Sequence, residues 1–517
     1  MDVTQPFEPG SATPASSNGN HAPEEIGTLS QEEEPEPEWD VGRYARQDLD
    51  RETTRYLSAA TQLNVDYAQR VVGEIVGEPF RALAPAYGAD VAVVARWAVD
   101  SVLRRSRRDR DLLLTLVLGT ILGALLVWLS PSWVPVVISV ISLMLVSAWT
   151  IVSLERWKRI YGIVVNRMLR GGFALQDAPA APFQWVGEQI DAVSARRRGN
   201  LVVFQGHTAF VGSGQRLSRE HVVIDVSRGR RVKNGKPQKP QKFTNADVHR
   251  ALISAMKKIG FADVHVEERL FVNGRHIKGN KAFLPDGDIA PPAAYVKRSL
   301  MDQSVLHPTP DARVYVCVEM PAWQGQLVVT LFARAVHAGG SLYIEWEYYV
   351  LPPISQEFLG IDLLYGTRRV RQVWRAFTWG ARKFAPAFCR APFTVVRDLR
   401  LLVRAKRRRA SQERAITQGQ EFDYGALKSI RETACGESRH HYFLARDEIM
   451  YVLMSQQILV REVRAFLRKR EVNLGQYDVQ VQEITKETFN FYNVHLGNVT
   501  DSTVVVGDKA QGKNRKS

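Results

Sequence analysis

The sequence predicts a membrane-anchored α+β protein with a two-helix transmembrane hairpin, an N-terminal helical bundle and a C-terminal cytoplasmic domain of antiparallel sheet and helices. Three observations predict this fold. A run of 43 residues, 112–154, contains no ionisable side chain. Arginines cluster on both sides of that run. Beyond it, short apolar runs alternate with turn residues, as strands of a half-buried sheet do.

Shifts in composition divide the chain into segments. Residues 1–40 carry ten acidic groups and no Lys or Arg, which predicts a disordered acidic tail. The other predicted segments follow in order: a cytoplasmic helical region (41–110), a transmembrane helical hairpin (111–155), a juxtamembrane helix and linker (156–182), an α+β domain (183–360), basic aromatic interfacial helices (361–412), a helical region (413–475), and C-terminal strands with a frayed tail (476–517).

The hairpin prediction depends on length and polarity. Leu112–Ser130 has 19 residues and Trp133–Leu154 has 22, and 19 residues of helix cover roughly 28 Å, close to the thickness of the hydrocarbon core. Ser130-Pro131-Ser132 predicts the turn between them. Gly119 and Gly123 form a small-xxx-small pair that favours close helix packing. A buried hairpin of a soluble protein is the less favoured alternative, because soluble helices rarely lack a polar face for so long.

Charge predicts the orientation. Both outer flanks of the hairpin are rich in Arg and the connecting turn is neutral, so both termini are expected in the cytoplasm, with the protein in the inner membrane. Trp128 and Trp133 flank the outer turn, where aromatic side chains anchor a helix at the membrane surface. The three cysteines have no disulfide or metal-site spacing, which suits a reducing compartment.

The sequence pattern after the linker predicts the α+β domain (183–360). Thr244–Ile259 predicts a capped helix, and Asn273-Gly274 predicts a tight hairpin between Val264–Val272 and Arg275–Ile277. Tyr477 onward alternates, with Val479 and Val481, and predicts a C-terminal strand. Further strands are predicted at Leu201–Phe204, His221–Val226, Arg313–Glu319, Gln326–Val336 and Ser341–Val350.

The stretch Arg368–Arg409 has fourteen Lys or Arg, one acid and several interleaved aromatic residues. This composition is typical of a helix at a membrane surface, and it is also compatible with a nucleic-acid backbone. We favour an anionic inner leaflet over nucleic acid, because the hairpin already holds the chain there. The predicted membrane-interface residues are Trp128, Trp133, Trp374, Trp379, Arg382, Arg404, Lys406 and Arg407.

Gly212-Ser213-Gly214 is the candidate ligand loop, since glycines let backbone N–H groups approach an anion. It lacks the complete phosphate-loop and dinucleotide patterns. Ser213 with His207 or His221 and Asp225 would supply a hydrolase triad, but no Gly-x-Ser-x-Gly motif is present. His440-His441 has no partner at metal-ligand spacing. We therefore predict no catalytic residue, metal site or cofactor.

Three stretches carry a resemblance to known proteins: Tyr56–Ala60 with Glu78–Ala82; Val202–Phe204 with Phe210–Gly214 and Val223–Asp225; and His441–Phe443 with Asp447, Tyr451 and Phe466-Leu467. On these, the chain resembles a group of actinobacterial two-span integral membrane proteins of unknown function. The resemblance implies a membrane location and transfers no functional residue. The tail at Gly497–Val499 and Val504–Asp508 is similar to short C-terminal strands of some bacterial conflict-system proteins.

The predicted function is a membrane-tethered cytoplasmic sensor or scaffold that binds an unidentified ligand or protein partner. The large predicted intracellular part, the small anchor and the lack of a catalytic motif favour it. Two alternatives stay open: a membrane-disrupting effector of a bacterial conflict system, and a hydrolase or nucleotide-binding protein that uses the Gly212–Gly214 loop. The oligomeric state is not predicted.

Overall fold

The computed structural model describes residues 41–130, 132–169, 171–195, 199–230, 239–261, 263–364, 369–436 and 442–497. The predicted acidic tail, His440-His441 and the terminal stretch from Asn498 lie outside these residues, as does most of the basic loop between Arg230 and Lys239.

The described part of the chain starts with helices that pack into one apolar cluster. They are α1 (Val41–Leu63), α2 (Val65–Ile75) and the first half of α3 (Val91–Leu129). Asn64 caps α2 by accepting a hydrogen bond from the Tyr67 amide at 3.1 Å, and Asp90 caps α3. Leu57, Val94 and Trp97 are buried in this cluster. The periodic spacing of apolar residues predicts these helices, and the structure contains them.

The second half of α3 pairs with α4 (Trp133–Trp157) as an antiparallel hairpin. Gly119 lies against Met144 and Gly123 against Val140, so the small-residue pair is used between the two helices of the hairpin. The chain then continues through a π-helix (Lys158–Val165), a 3-10 turn (Leu175–Asp177) and α5 (Gln184–Ala195). The structure thus has two helices that are long and apolar enough to cross a membrane.

Six strands form a mixed sheet in the order β1-β3-β4-β5-β6-β2. Every neighbouring pair is antiparallel except β1 and β3, which are parallel. The fold class is therefore α+β as predicted, with a mixed sheet in place of an antiparallel one. The strands are β1 (Leu201–Phe204), β2 (Gln215–Asp225), β3 (His265–Asn273), β4 (Ala312–Ala322), β5 (Leu327–Ala338) and β6 (Ser341–Leu351).

The predicted hairpin at Asn273-Gly274 is wrong. The chain leaves the sheet after Asn273, and β3 pairs with β4, which begins 39 residues later at Ala312. Gly274 instead donates to the Phe204 carbonyl and accepts from the Tyr424 amide. A Cβ at Gly274 would collide with the backbone of Gly425, so this glycine serves a close approach of two chain segments.

Helices cover one face of the sheet. They are α6 (Asn245–Met256), α11 (Tyr442–Lys469) and α12 (Gly475–Gly497). The C-terminal strand predicted at Val479 and Val481 is therefore wrong for the described residues. Tyr477, Val481 and Ile484 share the helical spacing that turns them toward the core, while Val479 is exposed. A period-two pair of valines inside a short window does not distinguish these patterns.

One of the remaining helices packs on both helices of the hairpin. The long α9 (Arg369–Thr417) runs without interruption through Pro386 and Pro392. The segment predicted as interfacial helices is thus one helix of 49 residues. The shorter helices are α7 (Arg298–Leu306), α8 (Gln356–Leu359) with a 3-10 turn (Gly360–Leu364), and α10 (Ile430–Thr433).

Candidate functional site

The outer part of the α3–α4 hairpin presents apolar side chains to its surroundings. Trp128 and Trp133 at the turn are 81% and 61% exposed, so both predicted anchors lie at the free tip of the hairpin. No charged group lies between Leu112 and Leu154. Large apolar side chains are also exposed along both helices, namely Leu114, Leu118, Ile121, Leu122, Leu125, Leu126, Leu129, Val134, Ile138, Ile141, Leu143, Leu145 and Val146.

The base of the hairpin is covered by α9. Leu112, Ala148 and Val152 are fully buried against Ala391 and its neighbours. The indole Nε1 of Trp149 donates to the Phe377 carbonyl at 3.0 Å. These contacts lie where the apolar spans of α3 and α4 end, so α9 packs on the hairpin at this end of the predicted transmembrane segment.

The outward side of α9 combines apolar and basic groups. Trp374 is 70% exposed, and Arg382 and Arg407 are exposed. Trp379 is partly covered, because the Arg156 guanidinium stacks 4.0 Å above its ring. Arg404 and Lys406 lie on α9, and their side chains are outside the described residues. An exposed Trp among basic residues is the surface that an interfacial helix offers to headgroups.

The candidate ligand loop binds a carboxylate of the same chain, that of Glu432. The amides of Gly212 and Gly214 both donate to Oε1 of Glu432, at 2.9 Å and 2.8 Å. Both glycines have positive φ, +93° and +87°, which turns their N–H groups toward one point. The loop therefore has the anion-binding geometry that its glycines predict, and Glu432 occupies it.

The three members of the imagined triad have different surroundings. Ser213 is fully buried, and its hydroxyl lies 3.3 Å from the Tyr87 hydroxyl. His207 is exposed on a turn, and the alternative base, His221, is exposed on β2. Asp225 accepts hydrogen bonds from the amide and hydroxyl of Ser227. Because Ser213 is fully buried, it is not accessible to a substrate.

Removing the Glu432 carboxylate is expected to loosen this loop. Glu432→Ala leaves two amides without their charged acceptor and also removes the bond from the Ser429 amide to Oε2. We expect the free energy of unfolding to fall by about 2–3 kcal/mol. Glu432→Gln keeps an acceptor oxygen, so its loss should be about 1 kcal/mol. Urea unfolding of the detergent-purified protein measures both, and equal stability of the two variants would contradict the assignment.

A family model described as an AbeC-like domain matches residues 219–503, more than half of the chain. The chain belongs to the AbeC-like domain family. The matched AbeC-like region begins within β2, contains β3 to β6 and α6 to α12, and excludes the α3–α4 hairpin. No curated protein and no solved structure matches the chain. The description names no activity, and the actinobacterial affiliation stays a prediction.

The AbeC-like region contains a charged sheet face that the sequence reasoning missed. Glu345 is 3% exposed and accepts from the Tyr315 hydroxyl at 2.7 Å, with the Arg334 Nε at 3.4 Å. Glu347, two residues after Glu345 on β6, lies 3.2 Å from Nε of Arg219. Burial raises the pKa of Glu347, and Arg219 opposes the shift. Glutamates alternating with aromatics in a strand are the signal that could have revealed this cluster.

A partly buried acid near Glu432 gives a pH dependence. Burial raises the pKa of Glu74 to about 7; the hydrogen bond from the Lys428 amide opposes this shift, and the nearby Glu432 carboxylate adds to it. The folded state thus keeps a proton that the unfolded chain releases near pH 4.5, and stability falls as pH rises toward 7. We expect Glu74→Gln to raise the free energy of unfolding by about 1–2 kcal/mol at pH 8 and to leave it unchanged at pH 4. Urea titrations at both values measure this, and an equal effect at both would contradict it.

Proposed function

We propose that this AbeC-like protein is a membrane-tethered cytoplasmic scaffold or sensor. The α3–α4 hairpin is its anchor in the inner membrane, and both termini lie in the cytoplasm. The α9 helix holds the α+β part against the inner leaflet. A cytoplasmic ligand or protein partner binds to the exposed part of the AbeC-like region.

The exposed apolar band of the hairpin carries the proposal. The most apolar 18-residue stretches of α3 and α4 are only 6% and 17% buried inside the protein. The corresponding helix of a soluble core is mostly buried. Each leucine-sized side chain in water costs about 1.5–3 kcal/mol relative to an apolar environment. The exposed apolar band therefore supports a lipid environment for the hairpin.

The charges at the base of the hairpin support the orientation. Arginines precede Leu112 and follow Leu154, and the helix that covers this end of the hairpin, α9, is strongly basic as well. Basic residues accumulate on the cytoplasmic side of a membrane protein. An anionic leaflet attracts each nearby Lys or Arg by about 1 kcal/mol, so the basic end of the hairpin is best placed there.

The charged sheet face supports the binding part of the proposal. Arg219, which pairs with Glu347, has a side chain that is 54% exposed. Val223, on the same strand β2, is 46% exposed. Charged and apolar groups that are held in fixed positions on a rigid strand are suited to recognition.

The features that suggested the two alternatives have other uses in this fold. Gly119 and Gly123 pack inside the hairpin, so they do not point to association of several hairpins into a pore. The Gly212–Gly214 amides bind Glu432, so they do not point to a bound nucleotide. The apolar spans also lack the ionisable groups that line transport pathways.

Reconstitution into dye-loaded liposomes tests the proposal. A tethered scaffold is expected to stay with the vesicles through an alkaline carbonate wash and to release no dye. Dye release at low protein-to-lipid ratio would instead favour the membrane-disrupting effector. Recovery of the protein in the supernatant without detergent would contradict the anchor.

A further inference from the structure

Strand β2 is an edge of the six-stranded sheet, since β6 is its neighbour on one side only. Its pairing with β6 is regular from Ser218 to Asp225. The amides of Val223 and Asp225 donate outward, to side chains of α12, and amides alternate in direction along a strand. The backbone groups of Arg219 and His221 therefore point outward as well.

Two glutamines of α12 occupy the outer edge of β2 at its C-terminal half. Gln480 binds Val223 in both directions: its Oε1 lies 3.0 Å from the Val223 amide, and its Nε2 donates to the Val223 carbonyl at 2.8 Å. Gln476 accepts from the Asp225 amide at 3.1 Å. These side-chain amides take the place that a neighbouring strand would have, so this half of the edge is closed.

The N-terminal half of the edge is open. Within the described residues, the outward N–H and C=O groups of Arg219 and His221 make no hydrogen bond, and both residues are exposed. An exposed strand edge with unpaired donors and acceptors is a template for a further extended segment. The unpaired groups lie on alternate residues, as a short added strand of about four residues requires.

Carboxylates flank the open half of the edge. One face of α12 presents four side chains at three- and four-residue spacing, those of Gln476, Gln480, Glu483 and Glu487. The two glutamines reach β2, and Glu487 lies near Glu220 of β2. Burial raises the pKa of Glu220 to about 7, and Glu487 adds to this shift. The three glutamates have no ion pair with another described residue, so the open half favours a segment that brings positive charge.

The chain continues beyond α12 in a segment with these properties. Twenty residues follow Gly497, and they lie outside the described part of the chain. They contain Val504-Val505-Val506, a run of β-branched residues that Gly507 follows. The last nine residues hold four Lys or Arg and no acid. The run has the composition of a strand, and the cationic end complements the glutamates beside the open edge.

The length of this segment allows the valine run (Val504–Val506) to reach the open edge. Helix α12 runs antiparallel to β2, because its first turn binds Asp225 and its middle lies beside Glu220. It ends at Gly497, ten residues past Glu487 and about 15 Å further along the helix. The six residues 498–503 span up to about 20 Å when extended, so a return along α12 brings the run beside the open half of the edge.

We propose that the valine run of the C-terminal segment pairs with the open half of β2 as a further strand of the sheet. Its backbone bonds to the outward groups of Arg219 and His221. Gly507 ends the pairing where Gln480 closes the edge, and the cationic end lies along the glutamates of α12. This inference does not rest on the membrane anchor, because its contacts lie in the AbeC-like region and the segment that follows it. An extended partner segment that uses this edge has to displace the valine run.

Hydrogen-exchange mass spectrometry with single-residue fragmentation tests the pairing. It compares the full chain in detergent with a truncation after Gly497. We expect the amides of Arg219 and His221 to exchange at least about tenfold faster in the truncated protein, because each loses its acceptor. The amides of Val223 and Asp225 donate to glutamines in both proteins and should keep their rates. Equal rates at Arg219 and His221 in the two proteins would overturn the inference.

Proline substitutions in the full chain separate strand pairing from the mere presence of the segment. Val504→Pro with Val505→Pro removes two successive N–H groups, one of which faces β2 in any strand, so it should raise both exchange rates as the truncation does. Ala510→Pro with Gln511→Pro is the matched control outside the valine run and should leave the rates unchanged. The same effect from both double variants would show that the run itself does not pair.

Dilution of the full chain identifies which copy supplies the strand. Pairing within one chain gives slow exchange at Arg219 and His221 that does not depend on protein concentration. Loss of this protection on dilution would place the valine run on a second copy and overturn the intramolecular contact.

Discussion

Arg55→Met is expected to lower the free energy of unfolding by about 3–5 kcal/mol, because it removes one partner of a buried ion-pair network. The Arg55 side chain is 1% exposed. It pairs with Glu52 at 2.8 Å and with Asp362 at 2.8 Å, and donates to the Met168 carbonyl at 3.2 Å. The Tyr56 hydroxyl also donates to Asp362. Methionine fills similar space, so the loss reports on the charge and the hydrogen bonds.

This network joins three parts of the chain: helix α1, the segment that leaves the hairpin, and the turn that leads to α9. Guanidinium chloride unfolding of the detergent-purified protein, followed by circular dichroism, measures the change. Arg461→Met, at an exposed position of α11, is the control and should stay within about 0.5 kcal/mol of the wild type. A loss below about 1 kcal/mol for Arg55→Met would show that these three parts are not held together in this way.

Gly380→Leu is expected to cost about 3 kcal/mol, because it separates α9 from α4. A Cβ at this position would collide with the Ser153 hydroxyl and come within 3.1 Å of its Cβ and 3.3 Å of its Cα. The backbone of α4 cannot yield as a flexible side chain can. The expected consequence is loss of the packing of Trp149 and Ala391 at the base of the hairpin.

Thr378→Leu is the matched control for this substitution. It introduces the same side chain two residues earlier on α9, where the helix is exposed, and should change the free energy of unfolding by less than about 0.5 kcal/mol. Thermal unfolding in detergent compares the wild type with Gly380→Leu and Thr378→Leu. Limited proteolysis of α9 is the second readout. A fully stable Gly380→Leu variant would mean that α9 does not rest on the hairpin.

The hairpin could be predicted because its signal is local. Forty-three consecutive residues without an ionisable group require no knowledge of the rest of the chain. The helices at the N-terminus and the capped α6 were predictable for the same reason, since periodic apolar spacing and a capping box act within one element. The exposed Trp128, Trp133 and Trp374 also follow from composition alone.

The errors occur where a distant part of the chain decides the outcome. Gly274 has the turn signature, but its conformation serves the approach of Gly425, about 150 residues away. The anion in the Gly212–Gly214 loop is Glu432, 220 residues from Gly212. The charged sheet face unites Arg219 with Glu345 and Glu347 through the pairing of β2 with β6. Single-sequence patterns carry no information on such pairings.

The packing of α9 on the hairpin is another contact between parts of the chain that are distant in sequence. Its basic and aromatic composition predicts a membrane-surface helix, and composition does not show that Ala391 meets Leu112 and Val152.

Cysteine accessibility in intact cells tests the central claim most directly. Ser132→Cys places a thiol at the outer turn of the hairpin, and the native Cys389 is exposed on α9 at its base. The account predicts that a membrane-impermeant maleimide labels position 132 in intact cells and labels Cys389 only after the cells are permeabilised. Labelling of Cys389 in intact cells, or no labelling of position 132 until lysis, would contradict it.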